Sequence, residues 1–495
     1  MNNTYLFYDI ETTGLNKTFA QILQFAAIRT DMQFNEIERH DILIKLRPDV
    51  IPSPKATITH RISIAQSMQG LCEFEAITQI HRLMNQSGTI SLGYNTSSFD
   101  DEFLRFCFHR NLLPPYTHQY KDGCRRSDLL PITIMYYLYK KEVLENWPEI
   151  DGKLTMRLEK LSEANQLAIG QAHNAMVDVE ATVELARRLF KEPKMWGYLD
   201  GYFDKTIDKK KRIEELPIAF HSIACSNRMG LMIDNKYGSA NQYQVPVLLI
   251  GHSIPYKNQT LWLRLDNPNL SKIQRHDIPS ETSSAEEEKN FSKNSWVIRK
   301  KYGEPGLVLP PLERYWNNLS PERQALVEEN KTWLQSHTEI FRKIIQYHQE
   351  FRYPKIPDLD IEAALYQNDF LSASELAKCR QFHAAALPNK IEMVTQFEDI
   401  DLRKLASRLL CRNYPDNLPP MLTRDFEDYV WRVNPENEED AYFDHKYEKR
   451  TTPKIALFEL DELRKEPENL DSQQIELLDE LENYLKTHFS NVGSR

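Results

Sequence analysis

Residues 5–11 read as a strand, and its end, Tyr8-Asp9-Ile10-Glu11-Thr12, sets two carboxylates two positions apart. Side chains alternate across a strand, so Asp9 and Glu11 leave the same face, with roughly 6–7 Å between their Cα atoms. Two carboxylates held side by side on a rigid element repel unless they are protonated or share a cation. Any fold that keeps this pair must therefore supply protons or cations at that face, and hard oxygen donors of this kind suit Mg²⁺ or Mn²⁺. Three later residues are the candidate companions: Asp100 in Tyr94-Asn95-Thr96-Ser97-Ser98-Phe99-Asp100, His173, and Asp178 in His173-Asn174-Ala175-Met176-Val177-Asp178.

The 495 residues exceed what one core usually serves, about 250–300, so two to four domains are expected. Hydrophobic residues at 41% and charged residues at 27% place the chain among ordinary soluble globular proteins. No apolar run approaches the roughly 20 residues needed to span a bilayer. The opening Met1-Asn2-Asn3-Thr4 lacks a basic region followed by an apolar stretch, so a cytoplasmic protein without a membrane partner is expected. Six cysteines contain no CxxC pair, which argues against zinc and against a disulfide framework. The net charge of −10 does not advertise nucleic-acid binding, but it does not describe a groove either, since phosphate contacts need only local Lys and Arg. With only 15 glycines and no Gly-rich phosphate loop, a nucleotide-driven motor is not expected.

Along the chain, residues 4–191 read as a mixed α/β unit, with strands at 5–11, 22–30 and 38–46, a helix at 74–85 and a short buried strand at 89–93. Helices are expected at 101–110, 158–166 and 174–190, the last with an apolar stripe of Val177, Ala181, Leu185 and Leu189. Strands followed by helices predict a sheet covered by helices. The charged run 204–212, with Lys209-Lys210-Lys211-Arg212, reads as a linker. Beyond it come β-rich runs at 217–224, 245–250, 259–265 and 296–301, interrupted by a polar and mobile insert at 280–292. A second boundary falls at 351–357. Helical patterns at 360–369, 372–382, 402–412, 425–432 and 472–489 then predict an α-helical third domain.

An Asp-x-Glu pair alone is more often solvated surface than a site. Four acidic residues in three segments in this order, with a histidine five residues before Asp178, reverse that preference. Asp100 opens a helix, where an acidic side chain also suits the helix dipole. Asp101, next to it, reads as a solvated or helix-capping charge. The set can hold two cations roughly 3.5–4 Å apart, the arrangement for in-line displacement at a phosphodiester. His173 is placed to take a proton from the attacking water, because imidazole titrates near the working pH.

This quartet with its HxxxxD spacing resembles the DEDDh family of 3′→5′ exonucleases, whose fold is RNase H-like. The resemblance is closer to the bacterial exonuclease I branch, specific for single strands. It rests on Tyr8-Asp9-Ile10-Glu11-Thr12, Gln24-Phe25-Ala26-Ala27-Ile28-Arg29-Thr30-Asp31, Gly93-Tyr94-Asn95, Phe99-Asp100-Asp101-Glu102 and Asn174-Ala175-Met176-Val177-Asp178. It implies an exonuclease domain at 4–192, an SH3-like domain with its polar insert at 193–345 and an α-helical C-terminal domain at 350–492. It further implies Asp9, Glu11, Asp178 and Asp100 as ligands of two Mg²⁺, with Mn²⁺ able to substitute, His173 as general base, and a role in DNA repair. Glu11 and Arg157 would contact the substrate, and Arg105, Tyr116 and Tyr120 would meet the strand through phosphates and bases. Ile134 stands where relatives carry a further strand-contacting arginine, which removes that contact. His221, Trp262, Arg264, Arg299 and Lys300 are candidates either for strand contact or for core and surface roles. The implied partners are single-stranded DNA and the C-terminal tail of the single-stranded DNA-binding protein, met by a monomer. The competing readings are a nuclease of this family acting on RNA or in proofreading, and a non-catalytic single-strand binder.

Overall fold

The computed structural model describes residues 3–489 apart from 171–172, 223–224, 280–282, 284, 417, 434 and 436. The chain forms two compact units, one of Met1–Arg126, Gln166–Leu185 and Lys355–Arg495, the other of Ser127–Asn165 and Ala186–Pro354.

The first unit is built on a mixed five-stranded sheet of β1 (Thr4–Thr12), β2 (Ile22–Thr30), β3 (Glu36–Leu43), β4 (Thr89–Gly93) and β5 (Arg125–Asp128) in the order β3-β2-β1-β4-β5. β1 lies at its centre, antiparallel to β2 and parallel to β4. Its alternation decides what each face does. Leu6, Tyr8 and Ile10 join Phe25, Ala27 and the apolar sides of α1 (Glu73–Met84) and α2 (Asp100–Arg110) in one core. Asp9 and Glu11 therefore emerge on the opposite face. The sheet, its two covering helices and the later helix α5 form the expected sheet covered by helices. α3 (Leu129–Tyr139), α4 (Leu158–Asn165) and α5 (Ala175–Leu189) follow in the chain.

The second unit carries a six-stranded sheet in which every pairing is antiparallel. Its strands are β6 (Ile218–His221), β7 (Ser226–Ile233), β8 (Gln244–His252), β9 (Gln259–Arg264), β10 (Val297–Lys301) and β11 (Leu307–Leu309), ordered β10-β9-β8-β7-β11 with β6 beside β7. Both faces are apolar: Leu248, Ile250, Leu261 and Leu263 pack on one side, and Val245, Val247, Leu249 and Trp262 on the other. The first of these cores is closed by α6 (Pro321–Ser336) and α7 (Thr338–Glu350), which the β-rich reading of this segment did not foresee. Two further expectations are corrected. The run 204–212 is no free linker, because Asp208 is fully buried and accepts from Lys300 Nζ at 2.8 Å and Gly303 N–H at 2.9 Å. Within the expected mobile insert, Ala285–Ser295 is a helix whose Phe291 enters the core, while 280–282 and 284 lie outside the described residues.

The C-terminal helices α8 (Ala373–Ala384), α9 (Leu387–Val394), α10 (Ile400–Asn413), α11 (Pro420–Val433), α12 (Pro453–Leu463) and α13 (Ser472–Phe489) belong to the first unit. Their starts follow local chemistry: Ser372 and Glu375 form a capping box, and Asp399 accepts from Leu402 N–H at 2.7 Å. Leu405 and Leu409 pack with Phe74, and Tyr429 and Leu481 pack with Leu23 and Val50. The helix expected at 360–369 is absent, and only Ala364–Tyr366 turns as a short 3₁₀ segment. Asp360 instead accepts its own Glu362 N–H at 3.0 Å and pairs with Arg408 at 3.0 Å. A buried ionic cluster joins this region to the sheet side. Arg412 meets Asp49 at 2.9 Å and Glu362 at 2.7 Å, and Glu73 meets Arg47 at 3.1 Å and Arg110 at 3.3 Å. All six cysteines are free. Among the described residues no helix is long and apolar enough to cross a membrane.

Candidate active site

Asp9 and Glu11 from β1 and Asp178 from the first turns of α5 each present a carboxylate oxygen within 4.8 Å of the other two. Asp100, the first residue of α2, is 4% exposed. Burial raises the Asp9 pKa well above the usual carboxylate range, and the charges of Asp100, Glu11 and Asp178 raise it further. Glu11 is raised likewise by burial, then by Asp178 and Asp100. All these influences point upward, so each carboxylate disfavours the charge of the next. Protons or cations resolve such a cluster, and a set made only of hard oxygens fits divalent ions.

Asn174 sets the start of α5: its side chain accepts from Met176 N–H at 3.1 Å and Val177 N–H at 3.4 Å. That cap fixes Asp178 one turn into the helix. His173 sits immediately before it in the left-handed region, φ 62°, exposed, with its backbone N–H donating to Asp178 Oδ2 at 3.2 Å. The histidine is thus tied by its main chain to one of the clustered carboxylates.

Asp101 is not the solvated charge the sequence suggested. It is 1% exposed, accepts from the Tyr8 hydroxyl at 2.8 Å and pairs with Arg126. The reason is topological: α2 starts against β1 and β5, so its second residue faces inward. β4 ends as tightly. A Cβ on Gly93 would lie 2.6 Å from the Tyr8 carbonyl oxygen and 2.2 Å from Thr96 Cγ2, so only glycine fits there.

The remaining candidates are dispersed. Arg105 is 7% exposed, 3.9 Å from Asp101, with its guanidinium 5.8 Å from the Tyr116 ring. Tyr116 is half-buried and Tyr120 is exposed. Phe370, which the sequence reading passed over because an isolated Phe carries no pattern, is 87% exposed and edge-on to Tyr116 at 6.0 Å. Arg157 is exposed, 3.7 Å from Glu159, and belongs to the second compact unit. Ile134 is fully buried in α3. Trp262 and Lys300 are core residues, the indole donating to Thr260 Oγ1 at 2.8 Å and the ammonium held by Asp208. Arg264 pairs with Asp266, Arg299 lies 4.5 Å from the Phe351 ring, and His221 is exposed.

The exonuclease family profile matches residues 6–186, and the exonuclease I C-terminal domain profile matches residues 359–488. Exodeoxyribonuclease I of Buchnera aphidicola subsp. Baizongia pistaciae is 27% identical over 449 residues, covering 86% of each chain. Exodeoxyribonuclease I of Escherichia coli is 36% identical over 207 residues, 41% of this chain and 43% of that relative. The crystal structure of E. coli exonuclease I in complex with a dA16 oligonucleotide superposes with a TM-score of 0.78 at 23% identity, covering 98% of this chain and 100% of that one.

Proposed function

This chain belongs to the exonuclease I family of 3′→5′ exodeoxyribonucleases, and from that premise we propose that it shortens single-stranded DNA from its 3′ end, releasing 5′-mononucleotides, in DNA repair and recombination. The observation that carries the reading is the convergence of Asp9, Glu11 and Asp178, with Asp100 acting on the first two, beside an exposed His173. Asp9, Glu11, Asp178 and Asp100 would hold two divalent cations, Mg²⁺ or in its place Mn²⁺. When bound, such ions supply Lewis acidity at the scissile phosphate and at the leaving 3′-oxygen. His173 accepts the proton of the attacking water at an imidazole nitrogen. The hydrogen bond from its main chain to Asp178 supports that role.

Arg157 and Arg105 serve as phosphate contacts and Tyr116 and Tyr120 as stacking faces, and Phe370, edge-on to Tyr116, extends that aromatic surface. We assign 4–192 to the exonuclease domain, 193–345 to an SH3-like domain and 350–492 to the helical C-terminal domain. The dA16 oligonucleotide bound to the E. coli relative supports a single strand as substrate. The single-stranded DNA-binding protein, through its C-terminal tail, is the proposed protein partner of a monomeric enzyme.

The test uses a 5′-labelled DNA single strand, a blunt duplex and an RNA strand, each with Mg²⁺, with chelator and with Asp9→Ala protein. Progressive shortening is expected only for single-stranded DNA with metal and wild-type protein. Equal attack on RNA or duplex overturns the substrate, and activity surviving Asp9→Ala overturns the site.

A further inference from the structure

We propose that Asp101 and Tyr8 form a positioning pair that holds Asp100 against Asp9 and so sets the cation affinity of the carboxylate cluster. The inference rests on the metal-dependent reading above and concerns residues outside the cluster.

Tyr8 precedes Asp9 on β1, so the two side chains leave opposite faces. The Tyr8 ring enters the core under α2, stacked on Phe25 at 5.9 Å, and its hydroxyl reaches Asp101 Oδ1 at 2.8 Å in a buried bond. Asp101 follows Asp100 at the start of α2, where successive side chains diverge by about 100° around the helix. One aspartate therefore faces the cluster while its neighbour faces Tyr8. The second oxygen of Asp101 is taken by Arg126 of β5, and Arg105, one turn along α2, stands 3.9 Å away. Gly93 closes the arrangement, since its backbone packs on the Tyr8 carbonyl where no Cβ fits.

Helix stability alone does not require this. An aspartate in the first turn favours the helix dipole equally well when solvated, whereas Asp101 is stripped of water at 1% exposure. Burying a carboxylate is unfavourable unless specific partners compensate it. Its partners here come from the strand that carries Asp9 and from the strand next to β4. The pair thus fixes the spacing between the first residue of α2 and the ninth residue of the chain, two of the four groups that would share cations. Outer partners of metal ligands commonly govern affinity in this way.

The test compares wild type with Tyr8→Phe, Asp101→Asn and the double variant. Mn²⁺ binding is measured by calorimetry on metal-free protein, alongside the Mg²⁺ concentration for half-maximal cleavage, KM for an oligonucleotide and thermal melting. Each single variant is expected to weaken Mn²⁺ binding about 10-fold and to raise the Mg²⁺ requirement in parallel, with KM nearly unchanged. The double variant should be no weaker than the worse single one, because the Tyr8 hydroxyl acts on Asp100 only through Asp101. Tyr8→Phe deletes only a hydroxyl and keeps the test valid should Asp101→Asn fail to fold. Tyr8→Phe protein that melts lower yet binds Mn²⁺ as wild type does would overturn the proposal. Wild-type protein that neither binds Mn²⁺ nor cleaves would overturn the functional reading and this inference with it.

Discussion

At the scale of single residues, Asp9 and Glu11 oppose folding in the metal-free protein. Their folded pKa values lie above the unfolded ones, through burial and then through neighbouring carboxylates. The penalty is absent below the unfolded carboxylate pKa of about 4 and fully present above the folded values. In chelator, Asp9→Asn should therefore melt at a higher temperature than wild type at pH 8, with the gain shrinking towards pH 4, while cleavage is lost. Saturating Mg²⁺ or Mn²⁺ should stabilise wild type by about 2.7 kcal/mol at 100 times Kd and should barely move the variant. Thermal melts across pH check both, and an Asp9→Asn protein less stable than wild type in chelator would refute the account. The carboxylate pair was legible in the sequence because strand alternation and a spacing of two are local facts. Asp101 was not, because its partners Tyr8 and Arg126 stand 93 and 25 positions away.

At the scale of elements, β4 and α2 meet β1 through contacts with no spare volume. Gly93→Ala should destabilise the protein by about 1–3 kcal/mol, since a methyl group would press on the Tyr8 carbonyl and the Thr96 side chain. Urea unfolding with an unchanged m value checks this, and an unaffected midpoint would show that the strand end can shift. Strands β1, β2 and β4 and helix α13 were readable because apolar periodicity runs through their whole length. β5, Arg-Arg-Ser-Asp, was missed because four polar residues carry no such period, although they fill the edge of the central sheet. The segment 360–369 failed in the opposite sense. Its apolar residues have helical spacing, but Asp360 accepts from Glu362 N–H and pairs with Arg408, and those contacts override the pattern.

At the scale of the whole molecule, the buried cluster around Asp49 ties the C-terminal helices to the sheet within one compact unit. Burial alone would raise the Glu362 pKa, but Arg412 and Arg408 more than offset it and hold it at about 2; Asp49 is likewise held well below the usual range by Arg412, Arg47 and Arg450. With folded values below unfolded ones, the stability these groups contribute is complete above the unfolded carboxylate pKa of about 4 and is lost as pH falls through the folded values. Arg412→Ala should cost about 3–5 kcal/mol at neutral pH, because Asp49 is left buried beside fewer cations, and its acid transition should flatten. Denaturation at pH 7 and pH 3 would read both effects, and a loss below 1 kcal/mol would show the cluster to be incidental. Composition and net charge could not announce this union, since Asp49 and Arg412 are 363 positions apart. That separation gives the ionic cluster a clock. At about 5–20 residues per second, a ribosome needs roughly 20–70 s after making Asp49 to reach Arg412. From the synthesis of Asp178 onward the nascent chain contains Asp9, Glu11, Asp100 and Asp178 but still lacks the guanidinium that completes their unit, so the nuclease would mature late in its own synthesis.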